Sequence, residues 1–242
     1  MEDKLQTLQR WLEESDRVVF FGGAGVSTES GIPDFRSQDG LYHQQYAYPP
    51  ETILSHTFFM AKPEEFFRFY RDKMIYTEAK PNAAHLALAK MERAGKLTAV
   101  VTQNIDGLHQ AAGSKTVLEL HGSILRNRCM ACGRAFAGTD IITQSGDLPL
   151  CPCGGLVKPE VTLYEEMLPD GVMEAAVEHI ARADMLIVGG TSLGVYPAAG
   201  LVNYYRGSKL VLINRTPTPY DDRANLLISE SIGQVLGALK IG

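Results

Sequence analysis

Four cysteines in two close pairs are the residues whose spacing most directly implies chemistry. They occur as Cys129-Met-Ala-Cys132 and Cys151-Pro-Cys153, with 18 residues between the pairs. Two pairs on tight turns can direct four thiolates at one ion, and this ligand set suits a tetrahedral zinc site. Four thiolates leave no open coordination position, so the spacing predicts one structural zinc per chain. The alternatives are four unrelated buried thiols and a redox Cys-x-x-Cys, although nothing thioredoxin-like surrounds the first pair.

A glycine-rich turn is the second candidate site. It spans residues 22–27, Gly-Gly-Ala-Gly-Val-Ser, and directly follows the apolar, β-rich run 17–21. Small residues let backbone N–H groups approach a phosphate, and a helix that starts there adds positive potential. Thr28 occupies the position where the standard dinucleotide fingerprint has glycine, so a plain strand–helix turn is the alternative. The continuation over 31–36, Gly-Ile-Pro-Asp-Phe-Arg, is harder to explain by packing alone, because it adds an acid, an aromatic ring and a guanidinium.

Polar side chains follow two further apolar runs. Asn104 and Asp106 come after the run 97–102, and His121 comes after the run 116–120. A histidine near its unperturbed pKa can take a proton at neutral pH. Amide and carboxylate groups can hold hydroxyls and carboxamides by directed hydrogen bonds. The alternatives are a capping or core histidine and a simple turn at the end of the strand.

These candidates lie at the ends of elements that alternate along the chain. Helical patterns alternate with strand-sized, mostly apolar runs at 17–21, 97–102, 185–189 and 209–214. That order predicts an α/β fold, in which a doubly wound parallel sheet carries helices on both faces. Residues 37–80 and 122–157 interrupt the alternation, and we predict that they form a smaller inserted module. The large domain is then expected to comprise 1–36, 81–121 and 158–242.

The composition excludes several classes of protein. The chain has 242 residues, with 23 basic and 28 acidic side chains, and its net charge of −5 gives no basic footprint for general nucleic-acid binding. No apolar run approaches the ~20 residues that a membrane span needs. The first residues, Met1-Glu-Asp-Lys-Leu5, lack the basic-then-apolar order of a signal peptide, so we predict a cytoplasmic protein without membrane contact.

Together the motifs resemble the signatures of the sirtuins, a family of NAD-dependent protein deacylases. The first signature is similar to residues 23–27 with 31–36, the second to Thr102-Gln-Asn-Ile-Asp-Gly-Leu-His109, and the third to Leu120-His-Gly122. The four cysteines, the segment 190–198 and the segment 211–214 complete the set, in family order over nearly the whole chain. The resemblance implies a Rossmann-like large domain and a small domain made of a zinc ribbon and a helical insertion, as in compact bacterial or archaeal members.

The resemblance also implies roles for individual residues. His121 would deprotonate a ribose hydroxyl after the acyl oxygen has attacked the nicotinamide ribose, and Asn104 and Asp106 would complete the catalytic set. The residues expected to bind NAD are Gly23, Ala24, Gly25, Thr28, Asp34, Phe35, Arg36, Gln103, Asn104, Ile105, Asp106, Gly190, Thr191, Ser192, Asn214 and Ile232. The backbone expected to sandwich the acetyl-lysine peptide as an added strand is that of Val161, Leu163, Gly194 and Val195. The expected products are free lysine, nicotinamide and O-acetyl-ADP-ribose.

Two departures from the family pattern concern the substrate. The family's Phe-Gly-Glu is Tyr164-Glu165-Glu166 here, and Glu165 in place of glycine predicts a mild preference for basic residues beside the substrate lysine. Members that remove succinyl groups carry Tyr-x-x-Arg, whereas this chain has Tyr70 with Lys73. That difference predicts a neutral acyl group, which means acetyl and longer apolar chains.

Three other functions are weighed against deacylation. A protein mono-ADP-ribosyltransferase would use the same NAD site and the same early step, and transfer of label from NAD to protein distinguishes it. A non-catalytic NAD-sensing or zinc-scaffold module needs no base, and His121 together with Asn104 and Asp106 argues against it. A Rossmann dehydrogenase is disfavoured, because no acid lies about 20 residues beyond the glycine-rich turn at the end of a strand.

Overall fold

A parallel sheet forms the centre of the protein, which the computed structural model describes over residues 2–35, 40–41 and 46–242. Six strands lie in the order β3-β2-β1-β7-β8-β9, and all neighbouring pairs are parallel. They are β1 (Val18–Gly22), β2 (Leu97–Thr102), β3 (Val117–Glu119), β7 (Met185–Gly189), β8 (Leu210–Ile213) and β9 (Leu226–Ile228). The predicted doubly wound parallel sheet is confirmed, and the strand order reverses between β1 and β7. Ligands of such sheets bind at this reversal, beyond the carboxyl ends of the strands.

Helices cover both faces of the sheet, because alternate residues of a strand point to opposite faces. In β1, Val18 and Phe20 belong to one buried cluster, whereas Val19 and Phe21 belong to the other. The helices that contribute to the first cluster are α1 (Glu2–Glu14), α5 (Ala83–Arg93) and α9 (Ile232–Gly237). The second cluster receives side chains from α8 (Val172–Arg182) and from the 3-10 helix Ala198–Tyr204. Apolar packing on both faces therefore fixes the position of the sheet and of its strand ends.

A smaller module combines short helices with an antiparallel sheet in the order β5-β4-β6. Its strands are β4 (Gly122–Cys129), β5 (Ala135–Ala137) and β6 (Val157–Val161). Its helices are α2 (Pro50–Ile53), α3 (His56–Ala61), α4 (Pro63–Lys73) and α7 (Asp140–Thr143). Helices and sheet share one aromatic-rich core that includes Phe59, Phe66, Phe67, Tyr70 and Ile142. The insertion of a second module is thus confirmed, while its boundaries at 37–80 and 122–157 remain predictions.

The structure differs from the sequence prediction after β1 and at one edge of the sheet. The glycine-rich turn leads into two 3-10 turns, Ala24–Val26 and Thr28–Ser30, and not into an α-helix. The last strand, β9, has three residues and was not predicted. A short helix, α6 (Leu108–Ala111), follows the polar residues beyond β2. Within the described part of the chain, every helix is too short or too polar to span a bilayer.

Candidate active site

A cavity of about 1180 Å³ lies beyond the carboxyl ends of the parallel strands, against the small module. Predicted site residues that line it are Gly23, Ala24, Gly25, Thr28, Asp34, Phe35, Gln103, Asn104, Ile105, Asp106, His121, Val161, Leu163, Gly190, Thr191, Ser192, Val195, Asn214 and Ile232. Gly194 does not line it, and Arg36 lies outside the described residues. The fold therefore brings the motifs after β1, β2, β3, β7 and β8 to one place.

The glycine-rich turn after β1 packs directly against the end of β7. The Gly25 N–H donates to the Gly190 carbonyl oxygen at 2.8 Å, and a Cβ added to Gly25 would lie 2.8 Å from the Gly190 Cα. Gly190 itself has a φ of +60°, and a Cβ there would overlap the Val26 nitrogen. The glycines thus allow two strand-end turns to touch. The sequence interpretation linked this turn to phosphate contact, but the Gly25 amide is already bonded within the protein.

Ser27 connects the glycine-rich turn to the polar residues after β2. Its hydroxyl donates to Asp106 Oδ2 at 2.6 Å and accepts a hydrogen bond from Asn104 Nδ2 at 3.1 Å. Burial raises the pKa of Asp106, while hydrogen bonds from Ser27 and from the Leu108 amide oppose that rise. Asn104 and Asp106 are therefore oriented by a shared partner. The sequence analysis quoted Ser27 within a motif but gave it no role, and only its hydrogen bonds in the folded chain show that it is a hub between Asn104 and Asp106.

His121 is held in one orientation by the backbone after β2. Its Nδ1 lies 3.0 Å from the Gln103 carbonyl oxygen, which can only accept, so the proton is assigned to Nδ1 and Nε2 carries a lone pair. Burial lowers the pKa of His121, and the bond to Gln103 opposes that shift. The Gln103 side chain in turn donates to Thr191 Oγ1 at 3.0 Å. A neutral imidazole with an unoccupied Nε2 can take a proton from a bound group.

Two buried polar atoms at the ends of β8 and β9 have no partner among the described residues. Asn214 Oδ1 accepts from the Thr191 amide at 3.0 Å, but Asn214 Nδ2 is buried and unbonded. Glu230 Oε2 is buried and unbonded as well, and both residues line the cavity. Because nearly all buried polar atoms have partners, this pair indicates a ligand with donors and acceptors. Glu230 was not predicted, since a lone glutamate between Ser229 and Ser231 gives no signal in the sequence.

The segment that follows β6 runs from His121 towards the small-module helices. The Thr162 amide donates to the His121 carbonyl oxygen at 2.9 Å. The Leu163 amide donates to Glu166 Oε2 at 3.0 Å. Val161 and Leu163 both line the cavity, and their role in peptide binding stays a prediction. A peptide that pairs with the Leu163 amide has to share or displace the bond to Glu166.

The small-module side of the cavity contains Tyr70 and Lys73 of α4. Tyr70 is fully buried, its hydroxyl has no hydrogen-bond partner among the described residues, and burial raises its pKa. The Lys73 Nζ pairs with Asp72 Oδ2 at 3.0 Å. The intervening Arg71 donates instead to Ile142 and to residues of the loop after α7. Helix α4 therefore presents a neutral hydroxyl and a paired ammonium to the cavity.

Four cysteine sulfurs converge in the small module, away from the cavity lining. The Sγ atoms of Cys129, Cys132, Cys151 and Cys153 lie within 4.8 Å of one another. Cys129 and Cys153 are 3.5 Å apart and Cys132 and Cys151 are 3.7 Å apart, too far for disulfides. Four sulfurs bonded to one tetrahedral zinc at about 2.3 Å would be about 3.8 Å apart. The cluster therefore fits one structural zinc with all four positions filled.

Known proteins are similar to this chain over nearly its whole length. A model described as Sir2 family matches residues 23–197. A Clostridium acetobutylicum protein named NAD-dependent protein deacetylase is 60% identical over 237 residues, which is 97% of each chain. A Staphylococcus aureus (strain N315) protein of the same name is 41% identical over 242 residues, or 99% of each chain.

Solved structures share the fold as well. A Sir2 structure with a p53 peptide and NAD+ is 41% identical, has a TM-score of 0.85, and covers 96% of this chain and 95% of its own. A Sir2 variant with a deacetylated p53 peptide and 3′-O-acetyl-ADP-ribose is 40% identical and has a TM-score of 0.88. The match covers 96% of this chain and 95% of that structure's chain. The family match includes residues 23–27 of the glycine-rich turn, His121 and the four cysteines. On this match and these relatives, the chain belongs to the Sir2 family.

Proposed function

We propose that the chain is an NAD-dependent protein-lysine deacetylase that gives free lysine, nicotinamide and O-acetyl-ADP-ribose. The observation that carries the proposal is the cavity itself, in which a neutral His121 lies among polar residues oriented by Ser27 and beside the segment after β6. The relatives named NAD-dependent protein deacetylase support the same reaction. Acetylated lysine side chains of proteins are the partners that this activity requires.

The residues of the cavity fit NAD. Asn214 Nδ2 and Glu230 Oε2 are buried atoms that need an acceptor and a donor, and the hydroxyls and amino group of an adenosine provide both. When bound, NAD supplies the ribose carbon that receives the acyl oxygen and the nicotinamide that leaves. We propose that the predicted cofactor residues that line the cavity hold NAD, with Thr191 and Asn214 near the adenosine and Asn104 and Asp106 near the nicotinamide ribose.

His121 acts as the general base in this proposal. Because its Nδ1–H is donated to the Gln103 carbonyl oxygen, Nε2 is the nitrogen that takes a proton from a ribose hydroxyl. Burial lowers the pKa of His121, which keeps the imidazole neutral and able to accept at neutral pH. Asn104 and Asp106 orient the hydroxyls and the carboxamide, since Ser27 holds their side chains.

The substrate peptide is proposed to lie along Val161 and Leu163 on one side and Gly194 and Val195 on the other. Strand addition supplies main-chain hydrogen bonds without requiring a particular sequence, which suits an enzyme with several protein substrates. The acyl group is proposed to be neutral, because α4 offers only the Tyr70 hydroxyl and the paired Lys73. A cytoplasmic location remains a prediction, which fractionation of the source cells can test.

Replacement of His121 by alanine tests the proposed function. The wild-type chain, loaded with zinc, is expected to convert NAD and an acetyl-lysine peptide into nicotinamide and O-acetyl-ADP-ribose, measured by mass spectrometry. His121→Ala is expected to lower kcat at least about 100-fold, which is the usual contribution of a general base. Label from NAD that appears on protein in place of O-acetyl-ADP-ribose would establish the mono-ADP-ribosyltransferase alternative and contradict the proposal.

A further inference from the structure

The segment Val161–Glu166 is attached at both ends, and its far end is attached to helix α3. Near His121, the Thr162 amide donates to the His121 carbonyl oxygen. At the other end, the Tyr164 amide donates to the Leu54 carbonyl oxygen at 3.0 Å, and the His56 amide donates to the Tyr164 carbonyl oxygen at 3.0 Å. The segment therefore bridges the proposed base and the helical part of the small module.

Glu165 holds this far end in a backbone conformation that is unusual for its residue type. Its φ is +75°, in the left-handed region that glycine adopts at no steric cost and that other residues seldom occupy. Glycine is also what the resemblance to the sirtuins predicts at this position. A non-glycine residue persists there only when its surroundings stabilise it.

The stabilising contact comes from Thr57 in the first turn of α3. Glu165 Oε2 accepts a hydrogen bond from the Thr57 amide at 2.9 Å and another from Thr57 Oγ1 at 2.7 Å. The Thr57 amide is one of the N–H groups at a helix start that lack a partner within the helix. The two bonds lower the pKa of Glu165, as expected for a carboxylate that accepts from an amide and a hydroxyl.

The neighbouring Glu166 makes the complementary contacts on the same segment. Its Oε1 lies 2.9 Å from His56 Nδ1, and its Oε2 accepts from Lys158 Nζ and from the Leu163 amide, each at 3.0 Å. Glu166 thus ties the segment to itself and to His56, whereas Glu165 ties it to Thr57. Glu165 is thus the residue of the segment that bonds to the first turn of α3 through Thr57.

We propose that the Glu165–Thr57 contact is a latch that positions the segment Val161–Leu163 for the substrate peptide, so that Glu165 is a positioning residue for peptide binding. The inference rests on the proposed function, because the peptide is assumed to pair with this segment. Loss of the latch leaves the left-handed backbone at Glu165 unsupported and loosens the bridge at Tyr164. A peptide must then order the segment as it binds, which weakens its affinity.

The latch and a charge-reading role for Glu165 make different predictions. A carboxylate that reads basic residues of the peptide would leave acetyl-lysine peptides with neutral flanks unaffected when it is removed. In the structure, Oε2 of that carboxylate is turned to Thr57. Removal of the latch is therefore expected to weaken every acetyl-lysine peptide alike, whatever its flanking charge.

Steady-state kinetics of the zinc-loaded chain test the latch. We expect Glu165→Ala to raise KM for a neutral acetyl-lysine peptide roughly three- to tenfold, which corresponds to the net contribution of an ordinary hydrogen bond. We expect Glu165→Gly to raise it less, because glycine relieves the backbone strain. KM for NAD and kcat at saturating peptide are expected to stay within about twofold, since no described hydrogen bond links Glu165 or Thr57 to the residues around Asn214.

Variants of the partner and a control complete the kinetic test. Thr57→Val is expected to raise the peptide KM, Thr57→Ser to restore it, and the double variant Glu165→Ala/Thr57→Val to be no worse than Glu165→Ala alone. Glu178→Gln, which removes an exposed carboxylate on α8, is the control for a change of charge. Equal rises in the KM values of NAD and peptide, or an effect confined to basic peptides, would overturn the latch.

Hydrogen exchange gives a readout that does not depend on activity. The amides of Tyr164 and His56 are expected to exchange at least about threefold faster in Glu165→Ala than in the wild type, while amides of β1 stay unchanged. Unchanged exchange at Tyr164 contradicts the latch even in an active enzyme. Faster exchange with an unchanged peptide KM contradicts its positioning role. A wild-type chain without deacetylase activity contradicts the proposed function, and the exchange result still decides whether the latch exists.

Discussion

The large domain and the small module are stabilised in different ways. Every residue of β1 and β7 is buried, and side chains on both faces of the sheet belong to extended apolar clusters. Around the four cysteines, by contrast, the described buried cluster has three members, Cys129, Cys151 and Val157. The first region has a core that excludes water, whereas the second needs a metal to hold its turns together. The cavity is lined by the large domain and by the aromatic-rich part of the small module, whose strands β4 and β6 lead to the cysteine-bearing turns.

One side chain connects the metal-dependent region to the cavity. Arg71 of α4 donates from Nε to the Ile142 carbonyl oxygen at 2.8 Å, and from Nη2 to Ser145 Oγ at 2.9 Å and to the Gly146 carbonyl oxygen at 2.6 Å. Its neighbour Tyr70 lines the cavity. Arg71 therefore links the stretch between the two cysteine pairs to the helix that carries Tyr70, and we expect a loss of order in that stretch to reach this side of the cavity.

Removal of zinc is expected to have the largest effect. Chelation should lower deacetylase activity at least about 100-fold, because structural zinc contributes on the order of 10 kcal/mol to the fold that it stabilises. Hydrogen exchange should rise in β4 and β6 while β1 and β7 stay protected. Added zinc should restore both the deacetylase activity and the slow hydrogen exchange of β4 and β6. Full activity in a chain shown by elemental analysis to lack metal would contradict the structural assignment of the four cysteines.

Acid is expected to destabilise the large domain, in contrast to zinc removal, which acts on the small module. The reason is a buried pair of histidines in the large domain. His85 and His109 have ring centroids 4.7 Å apart, and both are almost wholly buried. His85 Nδ1 accepts from the Asn82 amide, while His85 Nε2 and both nitrogens of His109 have no hydrogen-bond partner among the described residues. Burial lowers the pKa of His85 to about 4, and burial together with the proximity of His85 lowers the pKa of His109 to about 3.

The free energy of unfolding should therefore fall as the pH drops below about 6.5, the pKa of an unfolded histidine. Between pH 6.5 and about 4 the unfolded chain binds up to two more protons at these sites than the folded chain, which gives a slope of up to about 2.7 kcal/mol per pH unit. His109→Leu should remove about half of that slope in urea unfolding measured from pH 7 to 5. His179→Leu, which removes a partly buried histidine of α8, serves as the control. An unchanged slope in His109→Leu would show that other groups govern acid stability.

The regions also differ in how far the sequence predicts them. Long apolar runs identify β1, β2, β7 and β8, because a strand buried on both faces must be apolar throughout. The three-residue β9 has no such run. The cysteine spacing predicts a metal site, and the sulfur distances agree with it. The sequence could not predict the hub at Ser27 or the direction of the Glu165 carboxylate, because both depend on contacts between residues far apart in the chain.

The smallest expected effect concerns Tyr70, whose buried side chain lines the small-module side of the cavity. Tyr70→Phe removes a buried hydroxyl that has no described partner, so the free energy of unfolding should stay equal or rise by up to about 1 kcal/mol. Deacetylation should stay within about twofold of the wild type, because an acetyl group offers this hydroxyl no charge to recognise. The exposed Tyr204→Phe is the matched control for loss of a phenol outside the cavity. In a competition assay, desuccinylation should not exceed deacetylation, since Lys73 is already paired with Asp72 and a succinyl carboxylate would have to share that ammonium. A strong loss of activity in Tyr70→Phe, or a preference for succinyl-lysine, would mean that α4 supplies acyl recognition, and the small module would then determine specificity as well as shape.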